Sequence, residues 1–284
     1  MSKKLLCIGF GDLATRYAPH FAQHNCEIYA LARSPKPAPP SINLLQADLT
    51  SKAAQHLMLA HNFDAAIITL TPDAYDEAAY ISAYVDNMNY LINFWQNEQA
   101  PKFVVFVSST AVYDQCDEEW VDEYSATTPL KHNGRQMLAA EQILTQSPLP
   151  HCIVRFSGIY GENRQYLVRQ VKNRIRGGAQ FGNRIHADDC AGILHFICQQ
   201  YWLGKQKHSL YIGTDCAPVR GEEIHNWIAD KLGIGAGQLT QPSKGPSRAG
   251  NKRCSNRRLL DSGYRFRYPT YKEGYSQVLN LAPH

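Results

Sequence analysis

The chain predicts an α/β fold: a doubly wound parallel sheet covered by helices on both faces, with a smaller C-terminal substrate-binding cap. Three observations carry that expectation. Six short apolar runs alternate with helical patterns through the first half of the chain. The first run, Leu5-Leu6-Cys7-Ile8, leads directly into Gly-x-Gly-x-x-Ala at positions 9–14 and then into a helical pattern carrying Arg16, Tyr17 and Phe21. The alternation loosens beyond Gly158, where short strands, helices and glycine-rich loops take over.

Strands are expected at Lys4–Ile8, Glu27–Ala32, Asn43–Gln46, Asp64–Leu70, Lys102–Val107 and Cys152–Phe156, because these runs are nearly all apolar and of strand length. Apolar residues at helical spacing place helices at Asp12–His24, Ser51–Ala60, Asp73–Asn97 and Gly134–Gln146. Pro35, Pro37, Pro39 and Pro40 make a stiff loop after the second strand. In the second half, helices are expected at Arg164–Arg176, Asp189–Trp202 and Arg220–Leu232, and a loop rich in Gly, Pro and Ser at 233–250. The sheet domain is therefore drawn at 1–158 and the cap at 159–284. No internal repeat is present.

Strand, glycine turn and helix opening are what a dinucleotide-binding βαβ unit requires. Gly9 permits the sharp turn, Gly11 leaves room for a pyrophosphate against the backbone, and Ala14 lets the helix approach the strand. The free N–H groups at Asp12 and Leu13, in the first helical turn, then face the phosphates. The second strand ends Ala30-Leu31-Ala32-Arg33-Ser34, without the acid that would accept the ribose 2′-hydroxyl of NAD. Arg33 suits a 2′-phosphate, so NADP is expected over NAD; stacking on an adenine or pointing into solvent are its alternatives. Asp48, in Ala47-Asp48-Leu49, is placed to meet an adenine edge, to cap the next helix, or both.

Composition narrows the class. With 284 residues, 44% apolar and 19% charged, the chain reads as an ordinary globular protein, and no window approaches the ~18 apolar residues that span a bilayer. The apolar run after Lys3-Lys4 breaks at Gly9 and Asp12, too soon for a signal peptide. Eight scattered cysteines without Cys-x-x-Cys argue against a zinc site or a disulfide framework and point to a reducing cytoplasm. A net charge of +4 is too small to imply nucleic acid. Its distribution is uneven: Lys244, Arg248, Lys252, Arg253, Arg257, Arg258, Arg265 and Arg267 face one acid, Asp261, and a second basic stretch runs from Arg164 to Arg184 through Arg169, Lys172, Arg174 and Arg176. Either this is solvated surface, or it is a pole that attracts an anionic small molecule.

Several motifs follow in order: the glycine turn, Ala47-Asp48-Leu49, Val107-Ser108-Ser109-Thr110-Ala111-Val112-Tyr113, Arg155-Phe156-Ser157-Gly158-Ile159-Tyr160-Gly161 and Arg184-Ile185-His186-Ala187-Asp188-Asp189. Over nearly the whole chain this resembles the extended short-chain dehydrogenase/reductases, the NAD-dependent epimerase/dehydratase group. The ending, from Asn251 to Leu260 and then Gly263-Tyr264-Arg265-Phe266-Arg267-Tyr268-Pro269, looks more narrowly like the bacterial YeeZ-like atypical subgroup. The resemblance implies a Rossmann fold in which residues 184–212 return to the first domain. It adds Ser34, Leu49, Ser108 and Phe156 to the cofactor contacts. It also offers Tyr113, Tyr160, Arg164, Arg184 and Arg253 as contacts for an anionic, nucleotide-sugar-like substrate, and a homodimer as a candidate assembly.

The resemblance also implies a Tyr-x-x-x-Lys pair beside a hydroxyl residue, the tyrosine moving a proton while the lysine lowers its pKa. Ser109 occupies the hydroxyl position. The pair is missing: where relatives read Tyr-Gly-x-Ser-Lys-x-x-x-Glu, this chain has Asn133 at the tyrosine position and Met137 at the lysine position, ahead of Glu141. Neither residue can take over the proton chemistry. Thr110 and Ala111 also replace the Asp-Glu pair of dehydratases, so epimerase or dehydratase turnover of the usual kind is not expected. His132 is first in line as a substitute acid–base; Lys131, Tyr113, Tyr124, Tyr160, Asp122 and Glu123 are further candidates, each also readable as structural. Trp120 either walls the substrate pocket or anchors a loop. His186 is read as fixing a strand, with Asp188 or Asp189 capping the next helix. Two functions stay open: an oxidoreductase-like enzyme with altered acid–base groups, or a cofactor-binding regulator that has lost catalysis.

Overall fold

The structure is a computed structural model and describes residues 2–242 and 250–281. Lys244 and Arg248 of the basic run, and most of the 233–250 loop's second half, lie outside the described residues. In chain order the elements begin β1 (Lys3–Ile8), α1 (Asp12–Ala22), β2 (Cys26–Ala32), β3 (Ile42–Gln46), α2 (Lys52–Ala60) and β4 (Ala65–Ile68). Next come α3 (Glu77–Tyr80), a π-helical turn at Ile81–Asp86, α4 (Asn87–Asn97), β5 (Val104–Ser109), a 3₁₀ turn at Thr110–Val112 and β6 (Trp120–Val121). They continue with α5 (His132–Gln146), β7 (His151–Phe156), β8 (Gly158–Tyr160), α6 (Tyr166–Lys172), β9 (Ile175–Arg176) and β10 (Phe181–Gly182). After these come β11 (Arg184–His186), α7 (Ala187–Trp202), β12 (Leu210–Gly213), β13 (Val219–Arg220) and α8 (Gly221–Lys231). A 3₁₀ turn at Ala236–Gln238, β14 (Gln241–Pro242), β15 (Arg253–Cys254), α9 (Arg257–Asp261) and α10 (Tyr271–Val278) complete the order.

The chain divides into two compact units. The first comprises Met1–Val112, Thr127–Arg155 and Cys190–Tyr211. It is built on a parallel seven-stranded sheet of order β12-β7-β5-β4-β1-β2-β3. The inner strands are apolar on both faces and buried on both, as in β4, whose four residues are all buried. Edge strand β3 is only partly covered. The chain winds outward from β1 through β2 to β3, then crosses to β4 on the other side of β1. Strand order thus reverses at β1, and in such sheets ligands bind outside the carboxyl ends of the strands at that point. The long helix expected from Asp73 starts instead at Glu77, because the Asp76 carboxylate accepts the Ala79 N–H at 2.9 Å and caps it there.

The second unit comprises Tyr113–Ala126, Phe156–Asp189 and Ile212 onward. Residues 113–126 differ from the sequence-drawn boundary: β6 pairs with β15, Trp120 opposite Arg253 and Val121 opposite Cys254, so this early segment joins the late one. The core of the unit packs Val168 and Val171 of α6, Ile224 and Ile228 of α8, and Tyr271, Tyr275 and Val278 of α10. Its other pairs, β11 with β8, β10 with β13 and β14 with β9, are two-stranded. The helix expected over 164–176 is limited to α6, since Arg174 adopts φ +59 and β9 follows. Among the described residues no helix is long and apolar enough to cross a membrane.

Candidate functional site

The glycine turn leaves β1 between the ends of β2 and β4. The Gly9 N–H donates to Leu31 O at 3.2 Å, and Thr69 donates its hydroxyl to Gly9 O at 2.8 Å. Gly9 sits at φ +90, and a Cβ there would lie 2.9 Å from Thr69 O, so backbone geometry and space both demand glycine. Gly11 is different. It caps α1 in an extended conformation, with no side-chain hydrogen bond to the helix, and a Cβ would meet no protein atom within 4 Å. The first turn of α1 therefore begins beside space that the chain itself does not fill, a cradle that fits a pyrophosphate. Leu13 and Ala14 are buried and hold α1 to the sheet, while the Asp12 carboxylate lies 3.4 Å from Arg16 Nε.

At the end of β2, Arg33 and Ser34 are exposed. The Arg33 guanidinium makes a two-pronged pair with Asp73, Nη1 to Oδ2 at 2.9 Å and Nη2 to Oδ1 at 2.6 Å, a partner the sequence reading did not anticipate. Asp48 accepts from the Thr50 N–H at 2.9 Å and the Thr50 hydroxyl at 2.7 Å, bonds that lower its pKa. It does not cap α2; Ser51 does, accepting the Ala54 N–H at 3.2 Å. Leu49 is buried.

Helix α5 carries the altered motif, and Gly134 fixes where it lies. A Cβ on Gly134 would fall on Ala111 O and on Pro129 Cβ, so the helix start runs hard against the turn that follows β5. That turn begins at Ser109, whose Oγ accepts the Ala111 N–H at 3.1 Å. On the helix, His132 Nε2 and Asn133 Oδ1 are both shielded from solvent and both lack a hydrogen-bond partner. The His132 ring stands edge-on to Tyr75 at 5.0 Å and to Tyr80 at 5.3 Å between centroids. Met137, one turn on, is buried and brings no charge.

Beneath this lies a network that the sequence reading passed over. Arg155 of β7 grips Glu141 of α5, Nε lying 3.0 Å from Oε1, and Ser108 donates to the same carboxylate. All three are nearly inaccessible to solvent. The Ser108 hydroxyl, expected at the cofactor, is thus committed to Glu141. The signal was the Glu that closes the family pattern and the Arg that opens Arg155-Phe156, two charged residues on otherwise apolar elements.

In the second unit the expected substrate contacts separate into two groups. Tyr113 is 1% exposed, and its carbonyl accepts from Lys252 Nζ at 2.8 Å, so it is a core residue. Tyr160 is also core, stacked on Tyr275 at 4.4 Å with its hydroxyl against Gly274; burial raises its pKa. The Phe156 ring packs on Gly213 and is buried. Among the other stand-in acids, Glu123 accepts the Ile212 N–H and Asp122 accepts Tyr124 N–H and Ser125 Oγ, both structural roles. Arg253 lies over Trp120 at 5.1 Å and Phe181 at 5.3 Å, and Trp120 is half-exposed. Arg164 is half-buried. Arg184 is buried with Nη1 unpartnered, and its carbonyl accepts the Asp215 N–H at 2.7 Å; the Asp215 carboxyl, also buried, is pushed up to about 7 by desolvation. His186 Nδ1 accepts the Asp188 N–H, but Asp189 does not cap α7: it accepts Arg267 N–H, Tyr268 N–H and the Tyr264 hydroxyl.

Part of the C-terminal basic run is buried or paired within the unit. Lys252 is buried, Arg257 pairs with Asp261, Arg258 with Glu123 and Arg267 with Asp188. Arg169, Lys172, Arg174 and Arg176, along α6 and on to β9, are also exposed. Among the described residues no group of three His, Cys, Asp or Glu side chains could hold a metal ion.

Comparison with known proteins agrees with this geometry. The model of the NAD dependent epimerase/dehydratase family matches residues 9–213. A structure from Methylobacillus flagellatus, assigned to the NAD-dependent epimerase/dehydratases, is 32% identical with a TM-score of 0.81, covering 99% of this chain and 98% of that one. A functionally unknown conserved protein of Silicibacter pomeroyi is 24% identical with a TM-score of 0.73, covering 99% of each chain. MoeE5, solved with UDP-glucuronic acid and NAD, shares the fold at 18% identity and a TM-score of 0.79, covering 98% of both chains. No curated protein gave a significant match. With a glycine turn at the reversal point of a parallel sheet and a family match over most of its length, the chain belongs to the NAD-dependent epimerase/dehydratase family, within the extended short-chain dehydrogenase/reductases.

Proposed function

We propose that this protein is a nicotinamide-dependent oxidoreductase of the atypical subgroup, acting on a hydroxyl or carbonyl carbon of an anionic, nucleotide-sugar-like substrate and preferring NADP(H). The observation that carries the reading is the pair of unpartnered, solvent-shielded atoms His132 Nε2 and Asn133 Oδ1, at the helix position where relatives keep their tyrosine. Buried polar atoms are nearly always satisfied, so two adjacent orphans call for a ligand. The fold offers the dinucleotide Gly9, Gly11, the first turn of α1, Arg33 and Asp48. Once bound, that group supplies hydride transfer. Ser109 Oγ orients the substrate oxygen, and His132 Nε2 holds or removes its proton. Asn133 Oδ1 accepts a substrate hydroxyl. Met137 supplies no charge to tune either group. MoeE5, solved with UDP-glucuronic acid, supports an anionic substrate of the sugar-nucleotide class.

The buried Met137 at the lysine position favours a second reading, a cofactor-binding regulator without turnover. One experiment separates the two. Protein is incubated with NADP⁺ or NADPH and a panel of UDP- and dTDP-sugars, and nicotinamide absorbance is followed against pH. The enzyme reading expects slow turnover that His132→Gln abolishes while cofactor binding is kept. Cofactor binding with no turnover on any sugar favours the regulator. Equal activity in His132→Gln removes His132 from the mechanism.

A further inference from the structure

In the sheet, β1 lies between β2 and β4, and the glycine turn leaves its carboxyl end. Arg33 follows the last residue of β2, and Asp73 stands five residues past the end of β4. The two strands flanking β1 are about 9–10 Å apart, twice the usual spacing. Yet the two side chains meet in a bidentate pair at 2.6 and 2.9 Å. The pair therefore spans the end of β1 beside the turn that would cradle the pyrophosphate.

We propose that Asp73 is a cofactor-selecting residue: its grip on Arg33 opposes the 2′-phosphate of NADP(H) and leaves NAD(H) binding unaffected. The proposal rests on the reading that the glycine turn binds a nicotinamide dinucleotide and that Arg33 meets its 2′ position. A phosphate seeks from the guanidinium the same planar, two-pronged contact that Asp73 already makes. Asp73 occupies Nη1 and Nη2 together, so a phosphate must displace it or use the Nε edge beside a carboxylate already in place. It must also approach the Asp73 carboxylate, and that of Asp48, which acts electrostatically on Arg33 as well. The uncharged 2′-hydroxyl of NAD(H) meets no such repulsion. Arg33 alone favours NADP(H); Arg33 held by Asp73 favours it much less. Selection is thus set by two residues 40 positions apart, one attracting the phosphate and one competing with it.

The pair is exposed, 59% on the Arg33 side chain and 73% on the Asp73 side chain, so neither residue carries the fold. The test titrates NADPH and NADH by fluorescence into wild type, Asp73→Asn, and Asp73→Asn combined with Arg33→Ala, each checked by circular dichroism. The expected result for Asp73→Asn is NADPH affinity raised about tenfold with NADH affinity changed less than about twofold, and loss of that gain in the double variant. If both cofactors bind and their affinity ratio is the same in wild type and Asp73→Asn, the proposal is overturned while the cofactor site stands. An equal gain for both cofactors overturns it too, since Asp73 would then act as a general negative charge. If neither cofactor binds any of the proteins, the dinucleotide reading itself falls, and this proposal with it.

Discussion

Two glycines two residues apart are required for different reasons, and substitution separates them. Gly9 needs its positive φ and the space beside Thr69 O, so Gly9→Ala is expected to destabilise the protein by about 1–3 kcal/mol in urea unfolding. Gly11 lies in extended backbone with open space around it. Gly11→Val should therefore fold with unchanged circular dichroism and melting temperature, yet lose NADPH binding in a fluorescence titration. A folded Gly11→Val protein that binds at wild-type affinity would show that the motif is only a turn. The Arg155–Glu141 pair belongs to the same scale. Both side chains are buried, so Arg155→Met leaves a carboxylate without its partner and should cost about 3–5 kcal/mol. Ser108→Ala removes one hydrogen bond from the same carboxylate and should cost about 1 kcal/mol.

Helix α5 shows what a motif fixes and what it does not. Its glycine is demanded by the approach to Ala111 O, so Gly134→Ala should shift the helix start and cost about 1–3 kcal/mol by overpacking. The helix is therefore positioned as its pattern implies even though Asn133 and Met137 have replaced the working pair. Asn133→Tyr with Met137→Lys should place a phenol and an ammonium on one helix face. If the double variant alone turns over UDP-sugars, measured by coupled product assay, the natural site is degenerate and the regulator reading gains. The elements of the sheet were legible because apolar runs and a backbone-driven glycine turn are local signals. The π-helical turn at Ile81–Asp86 was not: Tyr80 and Tyr84 read simply as helix, and no local pattern marks an extra residue per turn. Nor was Asp73, because its partner is set by which strands flank β1.

At the scale of the whole molecule, the second unit was the less legible half, because its short strands and helices have no single period to read. Tyr113, Tyr160 and Lys252 carry groups that ordinarily face ligand or solvent, and here they are buried. Such burial has a consequence for stability that pH can read. Desolvation raises Asp215 from 3.8 to about 7, so between those values the folded protein keeps a proton that the unfolded chain has released. The Asp215 contribution to stability therefore falls as pH rises from about 4 to 7 and is level above that. His195 works in the opposite sense. Burial beside His24 and His20 depresses it to about 4, so its contribution rises with pH between about 4 and 6.5. Over that range the two oppose each other in the wild type, but His195 cancels when a variant at position 215 is compared with it. Asp215→Asn cannot ionise. It should stabilise the protein more at pH 8 than at pH 5, by about 1–3 kcal/mol, in paired urea unfolding experiments. A difference between variant and wild type that does not change between pH 5 and pH 8 would mean that Asp215 stays ionised in the fold, held by Arg184 despite its burial.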